Sequence, residues 1–287
     1  MAKLRITEVF YSLQGEGLYT GTPSVFIRTF GCNFKCRGFG MPKGKLSDEY
    51  KSVRIDKISD LKDVPLVETG CDSYASWWPQ AKHLTRDLTP AEIVDEVKNV
   101  IPNDNLKGID VILTGGEPLL GWQKVWPKVF HALANHLEMR EITFETNGTQ
   151  PLRAELFAHL QWASDDRFYN TLFSVSPKLS TSGEPWDKAI RPDVVFGEEG
   201  YHKVGRVTLK FVISDSSHLQ EVEKVLQEYG RARGEPIPPQ IVYLMPEGGT
   251  TTNYFNNARR VAELALSKGW NYSPRLQVDL FSNGWGT

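Results

Sequence analysis

The sequence is poor in cysteine, with only Cys32, Cys36 and Cys71 among 287 residues. Three thiols are too few for a disulfide framework, which excludes a small secreted protein stabilised by disulfides. Long hydrophobic runs are missing as well, because no stretch reaches the roughly 18 apolar residues of a membrane span. The first residues also lack the apolar core of a signal peptide. We therefore expect a cytoplasmic protein that does not contact a membrane.

An excess of one charge is also missing. Lysine and arginine total 33 against 35 aspartates and glutamates, which gives a formal net charge of −2. No basic field is available to neutralise phosphates, so we expect no direct binding of nucleic acid. The hydrophobic share of 40% and charged share of 24% are those of a globular protein, which excludes bulk disorder and a coiled coil.

What the sequence does contain is an alternation of strand and helix patterns. Thr89, Pro90 and Glu92 form a capping box with proline at the first helical position, which predicts a helix that continues to Ile101. Strands are predicted at 4–13, 24–30, 108–113, 141–145, 171–176, 207–213, 240–245 and 275–280. Further helices are predicted at 122–138, 151–161, 216–230 and 254–268. About six strand-plus-helix units indicate an α/β fold with a parallel sheet, closed or partly closed.

Polar residues cluster directly after five of the predicted strands. The clusters are Cys32, 114–117, 145–148, 176–178 and 245–249. Parallel α/β folds build their sites at the carboxyl ends of the strands, so we expect these clusters to converge on one pocket.

The cysteines admit three interpretations from their spacing alone. Three thiolates suit an iron–sulfur cluster. A structural zinc site is the alternative, with His83 as the fourth ligand. Three unrelated thiols are the third possibility. Residues 37–70 are rich in glycine and charge and lack periodicity, so they predict an insertion between Cys36 and Cys71.

Several sequence blocks together resemble the 7-carboxy-7-deazaguanine synthase family (QueE type) of the radical S-adenosylmethionine (SAM) superfamily. The blocks are FYSLQGEG (10–17), FIRTFGCN (26–33), TGGEP (114–118), ETNGT (145–149) and SVSPK (174–178). The resemblance implies a partial (β/α)6 barrel, like a TIM barrel but modified, as one domain over residues 1–287. Residues 37–70 would be an insertion in the cluster-binding loop.

The resemblance also implies the cofactors. Cys32, Cys36 and Cys71 would hold a 4Fe–4S cluster, and the open iron would bind SAM. The third family cysteine is followed by Asp-Thr, where this chain has Asp72 and Ser73, so these two residues would serve a magnesium ion. The SAM contacts carried over from the motifs are Gly115, Gly116, Glu117, Asn147, Ser176 and Lys178.

The implied reaction is the ring contraction of 6-carboxy-5,6,7,8-tetrahydropterin with loss of ammonia, a carbon–nitrogen lyase step of queuosine-type biosynthesis. The implied substrate contacts are Gln14, Glu16, Arg28 and Thr114, and no catalytic residue is expected beyond the cofactors. The implied partners are a flavodoxin or ferredoxin as electron donor and a second copy in a homodimer. Two other functions stay open: a radical SAM activase that generates a glycyl radical on a partner protein, and a zinc-stabilised, non-catalytic binding homologue.

Overall fold

The computed structural model describes residues 3–287, and in this range the chain forms one sheet with helices packed against it. The strands are β1 Leu4–Leu13, β2 Pro23–Thr29, β3 Arg86–Leu88, β4 Asp110–Gly115, β5 Glu141–Thr146, β6 Asn170–Val175, β7 Arg206–Ile213, β8 Val242–Pro246 and β9 Asn271–Tyr272. The helices are α1 Pro90–Val100, α2 Trp126–Leu137, α3 Ala154–Asp165, α4 Trp186–Ala189, α5 Pro192–Phe196, α6 Leu219–Arg233, α7 Thr251–Lys268 and α8 Leu276–Phe281. None of the helices within 3–287 is long and apolar enough to span a membrane.

The strand order places the carboxyl ends of most strands along one edge. The order is β3-β1-β2-β4-β5-β6-β7-β8-β9. β1 pairs antiparallel with β2 and β3, and every pair from β2 to β9 is parallel. The predicted α/β class with a parallel sheet is confirmed. The sequence analysis missed the short strands β3 and β9, which are too short to show an alternation.

The main core lies between the sheet and its helices. Val111, Ile112 and Leu113 of β4 are fully buried, as expected for a parallel strand covered on both faces. Helix α1 begins at the predicted capping box, where the Thr89 and Glu92 side chains bond each other's backbone N–H groups. Packing of the helices therefore holds the sheet, and with it the strand ends, in place.

Residues 37–70 form short turns with their own apolar cluster. Three 3-10 turns span Glu49–Ser52, Ile55–Lys57 and Leu61–Asp63. Tyr50 packs edge-on against Trp77 and Trp78, with ring centroids 5.1 and 5.3 Å apart. The segment is thus anchored on the residues that follow Cys71.

The predicted strand at 275–280 is wrong, because this segment forms helix α8. Its alternating apolar residues suggested a half-buried strand, but only Val278 is buried, whereas Leu280 and Phe281 are exposed. The N–H of Leu276 donates to the Gly15 carbonyl at 3.0 Å. The segment therefore packs as a helix on the Gln14–Gly17 turn and does not pair as a strand with the edge of the sheet.

Candidate active site

One cavity of about 600 Å³ lies at the carboxyl ends of the parallel strands, a size typical of small-molecule sites. Each of the five polar clusters contributes to its wall. The predicted site residues that line it are Gln14, Glu16, Arg28, Cys32, Cys36, Cys71, Asp72, Ser73, Thr114, Gly115, Gly116, Asn147, Ser176 and Lys178. Residues 39–41, 68 and 70 from the insertion complete the rim.

The three cysteines meet in this cavity without forming a disulfide. Burial raises the pKa of Cys32 to about 12 and that of Cys71 to about 11, and it raises the pKa of Cys36 well above its usual value. The positive charge of Lys178 acts on all three thiols in the opposite direction. Three desolvated thiols therefore need a bound cation to be held as thiolates.

The donors around the cysteines fit an iron–sulfur cluster. The indole N–H of Trp77 is buried and has no hydrogen-bond acceptor at bonding distance among residues 3–287. It lies beside the Cys71 thiol, where it favours the thiolate. Cluster sulfurs accept such bonds. Within residues 3–287, no three His, Cys, Asp or Glu side chains converge on a single-ion position. A cluster requires a wider spread, because each thiolate binds a different iron.

His83, the fourth ligand of the zinc alternative, is not among the residues that line the cavity. It is exposed, and its two ring nitrogens lie 2.9 Å from the carbonyl oxygens of Gln80 and Ile58. The structure thus does not bring His83 to the cysteines.

Gly115 and Gly116 hold the end of β4 tightly against the end of β2. A Cβ at Gly116 would lie 2.2 Å from the Gly31 carbonyl oxygen and 2.8 Å from the Cβ of Cys32. A Cβ at Gly115 would lie 2.2 Å from the Thr29 carbonyl oxygen, and its φ of +135° also favours glycine. Both glycines are therefore required by the approach of the backbone that carries Cys32.

Glu117 differs in position from the other residues predicted to contact SAM. Its side chain is fully buried and does not line the cavity. One carboxylate oxygen accepts from the Thr146 hydroxyl and the Leu119 N–H, and the other accepts from the Asn147 N–H. Burial raises the pKa of Glu117 despite these bonds. The residue ties the ends of β4 and β5 together.

Three other predicted SAM contacts do face the cavity. Asn147 is 5% exposed, and its amide donates to Asn33 at 2.9 Å while its oxygen accepts from Thr149. Lys178 donates to the Ser176 hydroxyl at 2.9 Å. These polar groups at the ends of β5 and β6 border the cysteines.

The predicted substrate contacts Gln14 and Glu16 belong to a buried network of charges. Lys210, only 2% exposed, donates to Glu16 at 2.6 Å and to Glu145 at 2.9 Å. Gln14 donates to Glu145 at 3.1 Å. Burial alone would raise the pKa of Glu16, but Lys210 and Arg275 lower it to about 2. Glu16 is therefore ionised and held rigidly in the wall.

Arg275 connects this network with the residues after Cys71. Its guanidinium donates to Glu16 at 3.2 Å and to Asp72 at 2.6 Å. Asp72 also accepts from the Ser73 hydroxyl at 3.1 Å. Its pKa is lowered, because Arg275 outweighs the effect of burial. Asp72 is thus neutralised by arginine and poorly suited to bind a cation directly, whereas Ser73 still faces the cavity.

Arg28 of β2 also lines the wall. Its Nε donates to Glu8 at 2.7 Å, and the guanidinium lies 5.8 Å from the Phe10 ring and 5.5 Å from the Trp285 ring. Phe10 stacks on Phe26 at 4.7 Å. A cation beside a pair of stacked rings suits a flat, anionic ligand.

The sequence analysis missed Lys210 and Arg275 as members of the site, and it placed Glu145 in a cluster at the pocket without giving it a role. A lysine within the apolar strand β7 was a usable signal, because a buried lysine requires a charged partner. Arg275 gave no such signal, since it reaches the site through the unexpected docking of α8.

Fold and site together define an α/β protein with one cavity at the carboxyl ends of its parallel strands, lined by three cysteines. No family model matches the chain. A 7-carboxy-7-deazaguanine synthase of Halobacterium salinarum is 32% identical over 295 residues, which cover 98% of this chain and 91% of the relative. One of Hyperthermus butylicus is 29% identical over 280 residues, with 96% and 92% covered.

A solved structure supports the same fold. QueE from Escherichia coli superposes with a TM-score of 0.53 at 16% identity and covers 94% of this chain and 93% of that chain. The chain belongs to the 7-carboxy-7-deazaguanine synthase family. The family resemblance seen in the sequence is confirmed, and so is the fold class that it implied.

Proposed function

We propose that this cavity carries out the family's ring contraction, which converts 6-carboxy-5,6,7,8-tetrahydropterin to 7-carboxy-7-deazaguanine with loss of ammonia. The observation that supports it most is the meeting, in one cavity, of three cysteines with the Gln14–Glu16 turn and Arg28. In this proposal, the metal centre and the recognition surface for a carboxylated heterocycle would share one space.

Cys32, Cys36 and Cys71 would hold a 4Fe–4S cluster through three thiolates. When bound, the cluster and SAM supply one-electron cleavage of SAM and a carbon radical that can remove hydrogen from the substrate. Within the protein, Lys178 offsets the negative charge of the thiolates, and the indole N–H of Trp77 is placed to donate to Cys71.

The SAM side of the cavity lies along the ends of β4, β5 and β6. The backbone at Gly115 and Gly116 and the side chains of Asn147, Ser176 and Lys178 would bind SAM by hydrogen bonds. Glu117 would act on it only indirectly, since it fixes the backbone of Asn147.

The substrate side lies along β1 and β2. The ionised Glu16 and the Gln14 amide would bind the pterin's donors and acceptors, and Thr114 would add a hydroxyl. Arg28 would bind the carboxylate through its terminal N–H groups, because its Nε is already engaged by Glu8. The stacked rings of Phe10 and Phe26 would border the flat ring.

Ser73 would be the protein's contact to a magnesium ion, which otherwise keeps water and substrate oxygens as ligands. Asp72 would orient the Ser73 hydroxyl. A cytoplasmic location, a flavodoxin or ferredoxin as electron donor, and a homodimer complete the proposal, together with one catalytic domain that carries residues 37–70 as an insertion.

Arg28→Lys tests the substrate assignment. Lysine keeps the charge but not the forked geometry, so we expect Kd for the carboxylated pterin to rise about tenfold or more. Kd for tetrahydropterin without the carboxylate should hardly change. Calorimetric titration of both ligands measures the difference. An equal loss of affinity for both would contradict the role of Arg28.

A further inference from the structure

Glu184 makes two direct contacts with the loop that carries Cys36. Its Oε1 accepts from the backbone N–H of Lys35 and from that of Cys36, each at 2.8 Å. Cys36 has a φ of +47°, a left-handed conformation that a residue with a Cβ adopts at a cost. One carboxylate oxygen therefore holds a strained cysteine in place.

The segment that presents Glu184 is itself rigidly attached to the cysteine loop. It is the turn of residues 180–184, which follows β6 and Lys178. The Glu184 N–H bonds the Ser182 hydroxyl, and the Ser182 carbonyl accepts from the Gly38 N–H at 2.9 Å. A Cβ at Gly38 would lie 2.5 Å from the Thr181 carbonyl oxygen. The turn thus contacts the cysteine loop at Lys35 and at Gly38, on both sides of Cys36.

From this geometry we infer that Glu184 is a positioning residue for the iron–sulfur cluster, acting through Cys36. It has two separable effects. The carboxylate oxygen fixes the backbone conformation that aims the Cys36 sulfur at the cavity. Its negative charge, close to Cys36, opposes the addition of an electron to the cluster. The inference rests on the cluster assignment proposed above.

Two substitutions separate the effects. Glu184→Ala removes the acceptor, and the rate at which a chelator strips iron should rise about 10- to 100-fold, as is typical when a partner of a metal ligand is lost. Glu184→Gln keeps an amide oxygen for both N–H groups but removes the charge. We expect it to retain iron like the wild type, while the cluster's midpoint potential shifts to a more positive value.

Exposed Glu198 supplies matched controls, and Glu198→Ala and Glu198→Gln should change neither iron loss nor potential. Iron content, chelator kinetics and an anaerobic redox titration followed by electron paramagnetic resonance are measured on the full-length protein. Wild-type iron retention in Glu184→Ala, or iron loss in Glu184→Gln, would overturn the positioning role. An unchanged potential in Glu184→Gln would overturn the effect of the charge, and both readouts of Glu184→Gln remain measurable if Glu184→Ala fails to fold. A wild-type protein that binds no cluster would instead refute the cluster assignment.

Discussion

At the scale of single residues, the site depends on charges that are buried together. Lys210 lies between the carboxylates of Glu16 and Glu145 and has almost no contact with solvent. Loss of Lys210 would leave the Glu145 carboxylate desolvated without a cation and Glu16 with Arg275 alone, whereas exposed ion pairs contribute little. The rigidity of the cavity wall therefore rests on complete pairing.

Lys210→Met tests this dependence. We expect the free energy of unfolding to fall by about 3–5 kcal/mol, the usual cost of removing one partner from a buried pair. Arg5→Ala is the matched control, because the Arg5–Asp87 pair, at 2.8 Å, is largely on the surface, and it should cost at most about 1 kcal/mol. Urea unfolding measures both. Equal losses of free energy of unfolding in the two variants would show that the buried network stabilises the protein no more than a surface ion pair does.

Asp110 gives a pH-dependent prediction. Burial raises its pKa to about 7, although the Thr143 hydroxyl donates to it at 2.7 Å. Since the unfolded chain loses this proton first, near its usual pKa of 3.8, the folded state binds more protons between the two values. The contribution of Asp110 to the free energy of unfolding is therefore fully present below about pH 4, and it is lost as the pH rises to about 7.

Asp110→Asn removes this titration. We expect its Tm, relative to the wild type, to be higher at pH 8 than at pH 5. Thermal unfolding at the two pH values measures the change. If the difference in Tm between Asp110→Asn and the wild type is the same at pH 5 and pH 8, Asp110 does not titrate between these pH values.

Single residues were only partly predictable. The residues in the motifs at the strand ends could be placed at the cavity from sequence, because parallel strands share their carboxyl edge. The sequence could not show that Glu117 lies outside the cavity wall while its neighbours line it, since the side-chain direction at a strand end depends on local turns. Glu184 carries no motif, and its role depends on a contact across 148 residues of sequence.

At the scale of elements, the close packing of β2 and β4 places Cys32. Gly116→Ala puts a Cβ against the Gly31 carbonyl and Cys32, so we expect a loss of about 1–3 kcal/mol from overpacking and a lower iron-to-protein ratio. Gly284→Ala is the control, because its Cβ would meet only ordinary contacts. Denaturant unfolding and iron analysis compare the two. Similar values for both variants would contradict the packing argument.

The insertion makes a second prediction at this scale. Tyr50 packs on the tryptophans that follow Cys71, so Tyr50→Ala should destabilise the protein by about 3–5 kcal/mol, as for other large aromatic deletions. It should also weaken iron retention at Cys71. Tyr11→Ala, a partly exposed tyrosine of β1, is the comparison for unfolding and chelator kinetics. Unchanged iron retention in Tyr50→Ala would show that the insertion does not support Cys71.

The long elements were predictable because their apolar periodicity is strong, and their bounds agree within a few residues. The C-terminal segment was not predictable, since Leu276, Val278 and Leu280 alternate like a strand while tertiary contacts with the Gln14–Gly17 turn select a helix. Because this helix was not predicted, the position of Arg275 in the site was not predicted either.

At the scale of the whole molecule, the scarcity of cysteine has a simple account. All three thiols lie in the cavity at the strand ends, and the proposed 4Fe–4S cluster would use all three. The insertion lies at the rim of that cavity and joins the loop of Cys36 to that of Cys71. The division into one domain plus this insertion stays a prediction.

The central claim is most directly tested by anaerobic turnover. Full-length protein reconstituted with iron and sulfide is incubated with SAM, a reductant and 6-carboxy-5,6,7,8-tetrahydropterin, and the products are followed by mass spectrometry, with Cys71→Ala as control. We expect a product that has lost ammonia over many turnovers, SAM that is not consumed in proportion, and no product from Cys71→Ala. Unchanged pterin with fully loaded wild-type protein would contradict the account.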